Sequence, residues 1–186
     1  AVGKKMNYEF LNHHLFNSSI QGIEESDLIL LVGTNPRKEA AIINSRIKKR
    51  SLQGNFRIAY IGPKLSLIED GLTYPVDHLG ETPETLNQIA SGDHPFSSEL
   101  AQASNPMLIV GPALFGYRED SDVLMNMLNE INHNYSLSTG ARKSIINTIQ
   151  PTASQSGAAQ LGLNGVDKSY SETVFPLKLL YCLGTT

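Results

Sequence analysis

Leu28-Ile29-Leu30-Leu31-Val32-Gly33-Thr34-Asn35-Pro36-Arg37 is the stretch that decides the fold. Five consecutive apolar residues leave no polar face. The segment therefore reads as a strand buried on both sides, the pattern of a parallel sheet covered by helices. Gly33 lets the chain turn sharply as it leaves the sheet. Asn35 suits a helix N-cap and Pro36 the first helical position. The predicted helix runs from Pro36 to about Arg50, with Ala40, Ile43 and Ile47 forming one apolar stripe.

Three further apolar runs end in glycine: Ile58 to Gly62, Met107 to Gly111 and Leu179 to Gly184. Thr73 to Val76 reads as a candidate fifth strand. Helical patterns lie between the runs. Thr82-Pro83 opens one helix carrying Leu86, Ile89 and Ala90, and another runs from Pro95 to Ala103. In Glu119 to Asn132, the residues Leu124, Met127, Leu128 and Ile131 follow helical spacing. Two weaker helical patterns cover Arg142 to Ile149 and Ala153 to Leu161. Alternation of this kind predicts a doubly wound α/β fold, with a mostly parallel Rossmann-like sheet and right-handed crossovers.

At 186 residues, the chain amounts to one domain or most of one. Residues 1–186 read as a single α/β domain, with 1–27 as a lead-in segment. The chain stops at Thr186, two residues after its last apolar run. That ending suggests a fragment, a split subunit, or a sheet incomplete at its C-terminus. A net charge of −3 argues against a general nucleic-acid binder, which needs a dense basic face. The single cysteine, Cys182, excludes an internal disulfide, a cysteine-held iron–sulfur cluster and a cysteine-based zinc site. A reducing compartment is the easier reading. No apolar run reaches the length of a membrane span, and the N-terminal AVGKKMNYEF lacks the apolar core of a secretory signal.

The segment Gly33, Thr34, Asn35, Pro36 and Arg37 is the candidate binding mouth. Ligands of open α/β sheets sit at the carboxyl ends of strands, and a helix N-terminus favours an anion. The plainer alternative is that Asn35-Pro36 only opens a helix and Arg37 pairs with a neighbour. Neither a GxGxxG fingerprint nor a Walker A pattern is present. The cluster Arg46, Lys48, Lys49 and Arg50 is either a solvated helix cap or a protein interface. His13 and His14 are poorly spaced for metal ligation on one helical face. Asp77-His78 and Asp93-His94 resemble catalytic pairs, but loop or capping roles fit them better. No GxSxG elbow and no nucleophile–base pair can be assigned. Cys182 sits in an apolar run and reads as inert core. No catalytic residue and no metal site is expected.

Ile20 to Asp27, leading into Leu28 to Ala40, closely resembles the family of large iron–sulfur subunits of respiratory complex I, the seventy-five-kilodalton subunit of mitochondria. Further matches follow in order: Asn44 to Lys48, Ile61-Gly62, Tyr74-Pro75-Val76-Asp77-His78-Leu79-Gly80, Ile89 to Phe96, Pro106 to Gly111, and Leu179 to Gly184. The Gly33 to Arg37 loop alone is shared with molybdopterin oxidoreductases. Family members often carry proline where this chain has Ala41, a helix position that tolerates alanine well.

The resemblance implies the C-terminal, molybdopterin-oxidoreductase-like part of that subunit, with a sheet of that type. Its cluster-bearing cysteines are absent here. No cofactor is therefore expected in this chain, while iron–sulfur clusters and FMN are expected in partner chains. Gly33 to Arg37 would be a vestigial pterin mouth. The implied role is a non-catalytic structural component of proton-translocating NADH:ubiquinone oxidoreductase. It would lie in the peripheral arm, on the matrix side of the mitochondrial inner membrane. Its partners would be other peripheral-arm subunits, including the chain carrying the iron–sulfur N-terminal domain, with no nucleic acid and no membrane span. The alternatives are a molybdopterin-dependent oxidoreductase domain binding a pterin dinucleotide at this loop, and a nucleotide-binding module using the same mouth.

Overall fold

A computed structural model describes residues 14–65, 71–112, 114, 121–141, 143–150, 152, 154–161 and 178. Five parallel strands form one open sheet: β1 Leu28–Val32, β2 Arg57–Ile61, β3 Asp77–Gly80, β4 Pro106–Val110 and β5 Ile146–Thr148. Their spatial order is β3-β2-β1-β4-β5. The helices are α1 Pro36–Glu39, α2 Ala41–Ser51, α3 Pro83–Ser91, α4 Pro95–Gln102, α5 Ser121–Thr139 and α6 Gln155–Gln160. A 3-10 turn, Gln21–Glu25, precedes β1. The doubly wound, parallel architecture expected from the sequence is the one observed. Among the described residues, no helix is long and apolar enough to cross a membrane.

Central strand β1 shows why. All five of its residues are buried, because both faces are covered. Successive side chains point to opposite faces of a strand. Leu28, Leu30 and Val32 therefore join one core with Leu86 and Ile89 of α3, Phe96 and Leu100 of α4, and Leu124, Leu128 and Ile131 of α5. Ile29 and Leu31 join the other, with Ile43 and Ile47 of α2 and Ile23 of the 3-10 turn. In the ladder, Leu30 lies between Ala59 of β2 and Leu108 of β4.

Four sequence expectations are corrected. The helix predicted from Pro36 to Arg50 is broken at Ala40, whose φ of −151° and ψ of 72° are not helical. The strand expected at Thr73 to Val76 lies at Asp77–Gly80 instead; Tyr74 is drawn into the core beside α2 rather than into the ladder. The helix expected over Arg142 to Ile149 contains strand β5, paired with Leu108 to Val110. Helix α5 runs to Thr139, seven residues past Asn132, because Tyr135 continues its buried stripe. The expected strand Leu179 to Gly184, with Cys182 in it, lies outside the described residues, as does His13.

Candidate functional site

The chain leaves β1, turns outward to β2 and β3, then crosses to β4 on the other side of β1. The β1/β4 boundary is thus the topological switch point, where ligands of such sheets bind beyond the carboxyl ends. Gly33 follows β1 there and Gly111 follows β4. Gly33 adopts a left-handed φ of 57°, and its N–H donates to the Ile61 carbonyl (2.8 Å). The Gly111 N–H donates to the Val32 carbonyl (3.0 Å).

These two turns are packed against each other. A Cβ on Gly111 would fall 2.2 Å from the Gly33 carbonyl oxygen and 2.8 Å from Cβ of Thr34. A Cβ on Gly33 would fall 2.2 Å from Cδ1 of Leu114. Leu114 is itself buried, 8% exposed. Among the described residues, the Gly33 and Gly111 turns are packed tightly together at the β1/β4 boundary, and Leu114 occupies the space beside Gly33.

The mouth residues are likewise engaged with the protein. Asn35 Oδ1 accepts from the Arg37 N–H (3.1 Å), confirming the predicted cap. The N–H groups of Lys38 and Glu39 donate to the Asn35 carbonyl (both 3.0 Å). Pro36 is buried at the first helical position. Helix α1 ends four residues after it starts, so its dipole is short and its first-turn amides are already bonded. Thr34 is buried and its hydroxyl donates to the Glu39 carboxylate. The Arg37 guanidinium turns away to the Gly71 carbonyl (2.7 Å).

Tyr60 nearby is held above its ordinary pKa, by burial first and then by the carboxylates of Glu39 and Glu81. Those two negative charges would oppose a phosphate here. The cavity adjoining the mouth, lined by Val32, Gly33, Ile61, Leu86, Leu114 and Leu124 among others, measures about 120 Å³. Ligand pockets run to about 300–1,000 Å³. The described residues of the mouth do not fit a pterin dinucleotide.

The other sequence candidates are dispersed. Arg46 and Lys49 both pair with Glu24 of the 3-10 turn, Lys49 at 2.8 Å. These cations hold Glu24 below the usual carboxylate range, the Lys49 hydrogen bond most of all. Arg50 donates to the carbonyls of Ser26 (2.8 Å), Gly54 (2.8 Å) and Asn55 (3.3 Å), and lies over the Phe56 ring. Three of the four cluster residues thus staple α2 to its surroundings; Lys48 is exposed.

Asp77 pairs with Arg57 (3.1 Å), while His78 Nε2 meets the Gly62 carbonyl (2.8 Å). Asp93 accepts from the Ser91 hydroxyl (2.7 Å), while His94 Nδ1 caps α4 through the Phe96 N–H (3.1 Å). Neither histidine forms a dyad with the aspartate before it. Among the described residues, no three His, Cys, Asp or Glu side chains gather where a metal ion could be held.

Sequence reasoning missed Leu114 and Glu39, both of which decide the character of the mouth. The one available signal was the pair of strand-ending glycines at Gly33 and Gly111, which a doubly wound order places side by side.

A family model described as molybdopterin oxidoreductase matches residues 2–186. The NADH-ubiquinone oxidoreductase 75 kDa subunit of Reclinomonas americana is 35% identical over 182 residues, covering 96% of this chain and 25% of that protein. The mitochondrial NADH dehydrogenase [ubiquinone] iron-sulfur protein 1 of Solanum tuberosum is 36% identical over 182 residues, covering 98% of this chain and 23% of that protein. The mitochondrial NADH-ubiquinone oxidoreductase 78 kDa subunit of Candida albicans is 32% identical over 177 residues, covering 95% of this chain and 23% of that protein. The chain spans about a quarter of the length of these relatives. It belongs to the molybdopterin oxidoreductase family.

Proposed function

We propose that this chain, a member of the molybdopterin oxidoreductase family, is a non-catalytic structural part of the peripheral arm of respiratory complex I. The observation that carries the reading is the tight packing at the switch point: Gly111 rests on the Gly33 carbonyl and Leu114 occupies the space beside Gly33. Such packing supports a structural rather than a cofactor-binding use of this position. The names of the relatives supply the assembly to which such a fold would contribute.

In this reading the work is mechanical. A sheet covered on both faces provides a rigid body, because buried strands in register resist local opening. Its outer helices bury surfaces of neighbouring subunits. Electron transfer runs through FMN and iron–sulfur clusters in partner chains, among them the one bearing the iron–sulfur N-terminal domain. Gly33, Thr34, Asn35, Pro36 and Arg37 keep the local form of a binding mouth, with Thr34, Asn35 and Arg37 hydrogen-bonded to other groups of the chain. The chain takes part in NADH:ubiquinone oxidation as a component, on the matrix side of the mitochondrial inner membrane.

Native purification of the NADH-oxidising assembly, followed by mass spectrometry of its chains, tests this. Stoichiometric recovery of the chain with the flavin and cluster subunits is the expected result. Recovery only outside such an assembly refutes it. Molybdenum or tungsten in equal amount with the chain would instead support a pterin-dependent oxidoreductase.

A further inference from the structure

The helices on one face of the sheet carry charge of a single sign. Across α3, α4, α5 and the α3–α4 loop stand Glu84, Asp93, Glu99, Asp122 and Glu130, with no lysine or arginine. Helix α2, on the opposite face, carries Arg46, Lys48, Lys49 and Arg50. Glu99 pairs with Arg57 of β2. Glu84, Asp93, Asp122 and Glu130 are exposed and enter no ion pair among the described residues.

Where α3, α4 and α5 meet there is a cavity of about 180 Å³. Ile89, Ala90, Leu100, Ala101 and Ile131 give it apolar walls. It is smaller than the about 300–1,000 Å³ of a small-molecule pocket and suits one long side chain. Its polar lining is chemically one-sided. The Ser97 hydroxyl donates to the Ile89 carbonyl (3.0 Å) and the Ser138 hydroxyl to the Tyr135 carbonyl (2.9 Å). The Tyr135 hydroxyl donates to the carbonyls of Ala103 and Ser104 (both 3.4 Å). Asn134 Nδ2 donates to the Ala90 carbonyl (3.0 Å). Each hydroxyl has spent its proton on the backbone and keeps lone pairs. The lining therefore offers acceptors.

Two helix ends add to this. Ala90 and Gly92 bring the C-terminus of α3 to the cavity, and Ser138 brings that of α5. Neither last turn carries a basic residue, although the negative end of a helix dipole favours a cation. Asp93 follows Gly92, and Glu130 lies one turn before Asn134 on the same flank of α5. Leu137, beside Ser138, is 71% exposed.

Lysine is the side chain this chemistry selects. Its ammonium has three donors and no acceptor, and its stem packs along apolar walls. An arginine fork is matched by a carboxylate, and no carboxylate lines the cavity. A second copy of this chain is the poorer fit, because Arg46, Lys49 and Arg50 of α2 are already held by Glu24 and by backbone carbonyls.

We propose that the cavity between α3, α4 and α5 docks a lysine-bearing, basic segment of another protein. The lysine ammonium meets the oxygens of Ser97, Asn134 and Ser138, and flanking cations meet Asp93 and Glu130. The site stands on these observations; only the expectation that the partner is a subunit of the same assembly rests on the structural role proposed above.

The full chain is purified with whatever it binds and treated with a zero-length reagent that joins carboxylates to amines, and the products are read by mass spectrometry. Asp93 or Glu130 should be joined to a lysine of a different protein. Ala101→Trp fills the cavity from an exposed position, and Glu130→Lys reverses the rim charge. Each should leave the unfolding midpoint of the chain unchanged. Each should also cut partner retention roughly tenfold, the effect of losing one charge-assisted contact. The proposal is overturned if Asp93 and Glu130 stay unlinked, or join only lysines of this chain or of a second copy. Undiminished retention in Ala101→Trp overturns it as well. Links to a protein outside any NADH-oxidising assembly uphold the site but refute the structural role; recovery in that assembly with both carboxylates unlinked does the reverse.

Discussion

Replacing Gly111 by alanine places a methyl group where the chain has left no room for one. Gly111 does not sit at positive φ, so backbone strain plays no part. The added Cβ would lie 2.2 Å from the Gly33 carbonyl oxygen and 2.8 Å from Cβ of Thr34. Neither is the tip of a flexible side chain that could swing away. Relief requires the turn after β4 to separate from the turn after β1, which disturbs the central β1–β4 ladder. Overpacking of this kind costs about 3 kcal/mol, at the upper end of the usual range.

For a chain of this size each kcal/mol lowers Tm by about 2–4 °C, so a drop of about 6–12 °C is expected. Gly92→Ala is the control. Gly92 has φ 88°, and a methyl group added there would meet nothing within 4 Å. It therefore carries only left-handed strain of about 1–2 kcal/mol, partly offset by a stiffer unfolded chain. Thermal and urea unfolding of both variants read the difference. Equal stability of Gly111→Ala and the parent would mean that the crevice is open, and the reading of a filled mouth would fail.

Leu114→Ala removes the leucine that fills the space beside Gly33 and should cost about 2–5 kcal/mol, measured by urea denaturation. Arg50→Lys keeps the charge but loses the fork that reaches three carbonyls; a loss of about 1–2 kcal/mol is expected in the same assay. Tyr74→Phe should be neutral or stabilising by about 1 kcal/mol at neutral pH, since the buried Tyr74 hydroxyl has no hydrogen-bond partner among the described residues. Burial raises the Tyr74 pKa, so the unfolded chain ionises first and stability falls as pH rises above the ordinary value of 10.0. The Phe variant should show a shallower alkaline decline in Tm. Glu24 is lowered from its ordinary 4.5 by Lys49 and Arg46. Its contribution is present above that value and is lost as pH falls through the lower folded value, so Glu24→Gln should flatten the acid limb of a Tm–pH profile.

The strands legible in the sequence were those buried on both faces. β1, β2 and β4 each carry an apolar run that no helix period explains. β3 and β5 escaped for opposite reasons. Asp77-His78-Leu79-Gly80 is an edge strand with exposed residues at its start, so it has no apolar run, while the Tyr74 and Val76 nearby do look β-like. Ile146 to Thr148 is too short to show a period, and its identity comes from pairing with Leu108 to Val110.

The mouth was legible as a location. Asn35 caps and Pro36 opens the helix, as their residue types dictate. Its character was not legible, because that rests on contacts distant in sequence. Arg37 meets a carbonyl 34 residues away, and Leu114 approaches Gly33 only once β1 and β4 are neighbours. The break at Ala40 follows from no local propensity, since alanine is a strong helix former.

The central claim is that a cofactor-family sheet serves here as a packed structural body. Quantifying molybdenum, tungsten and pterin in the purified native assembly, against the molar amount of this chain, tests it most directly. The account predicts the chain in stoichiometric proportion to the flavin and iron–sulfur subunits with no pterin accompanying it; one pterin per chain would contradict it.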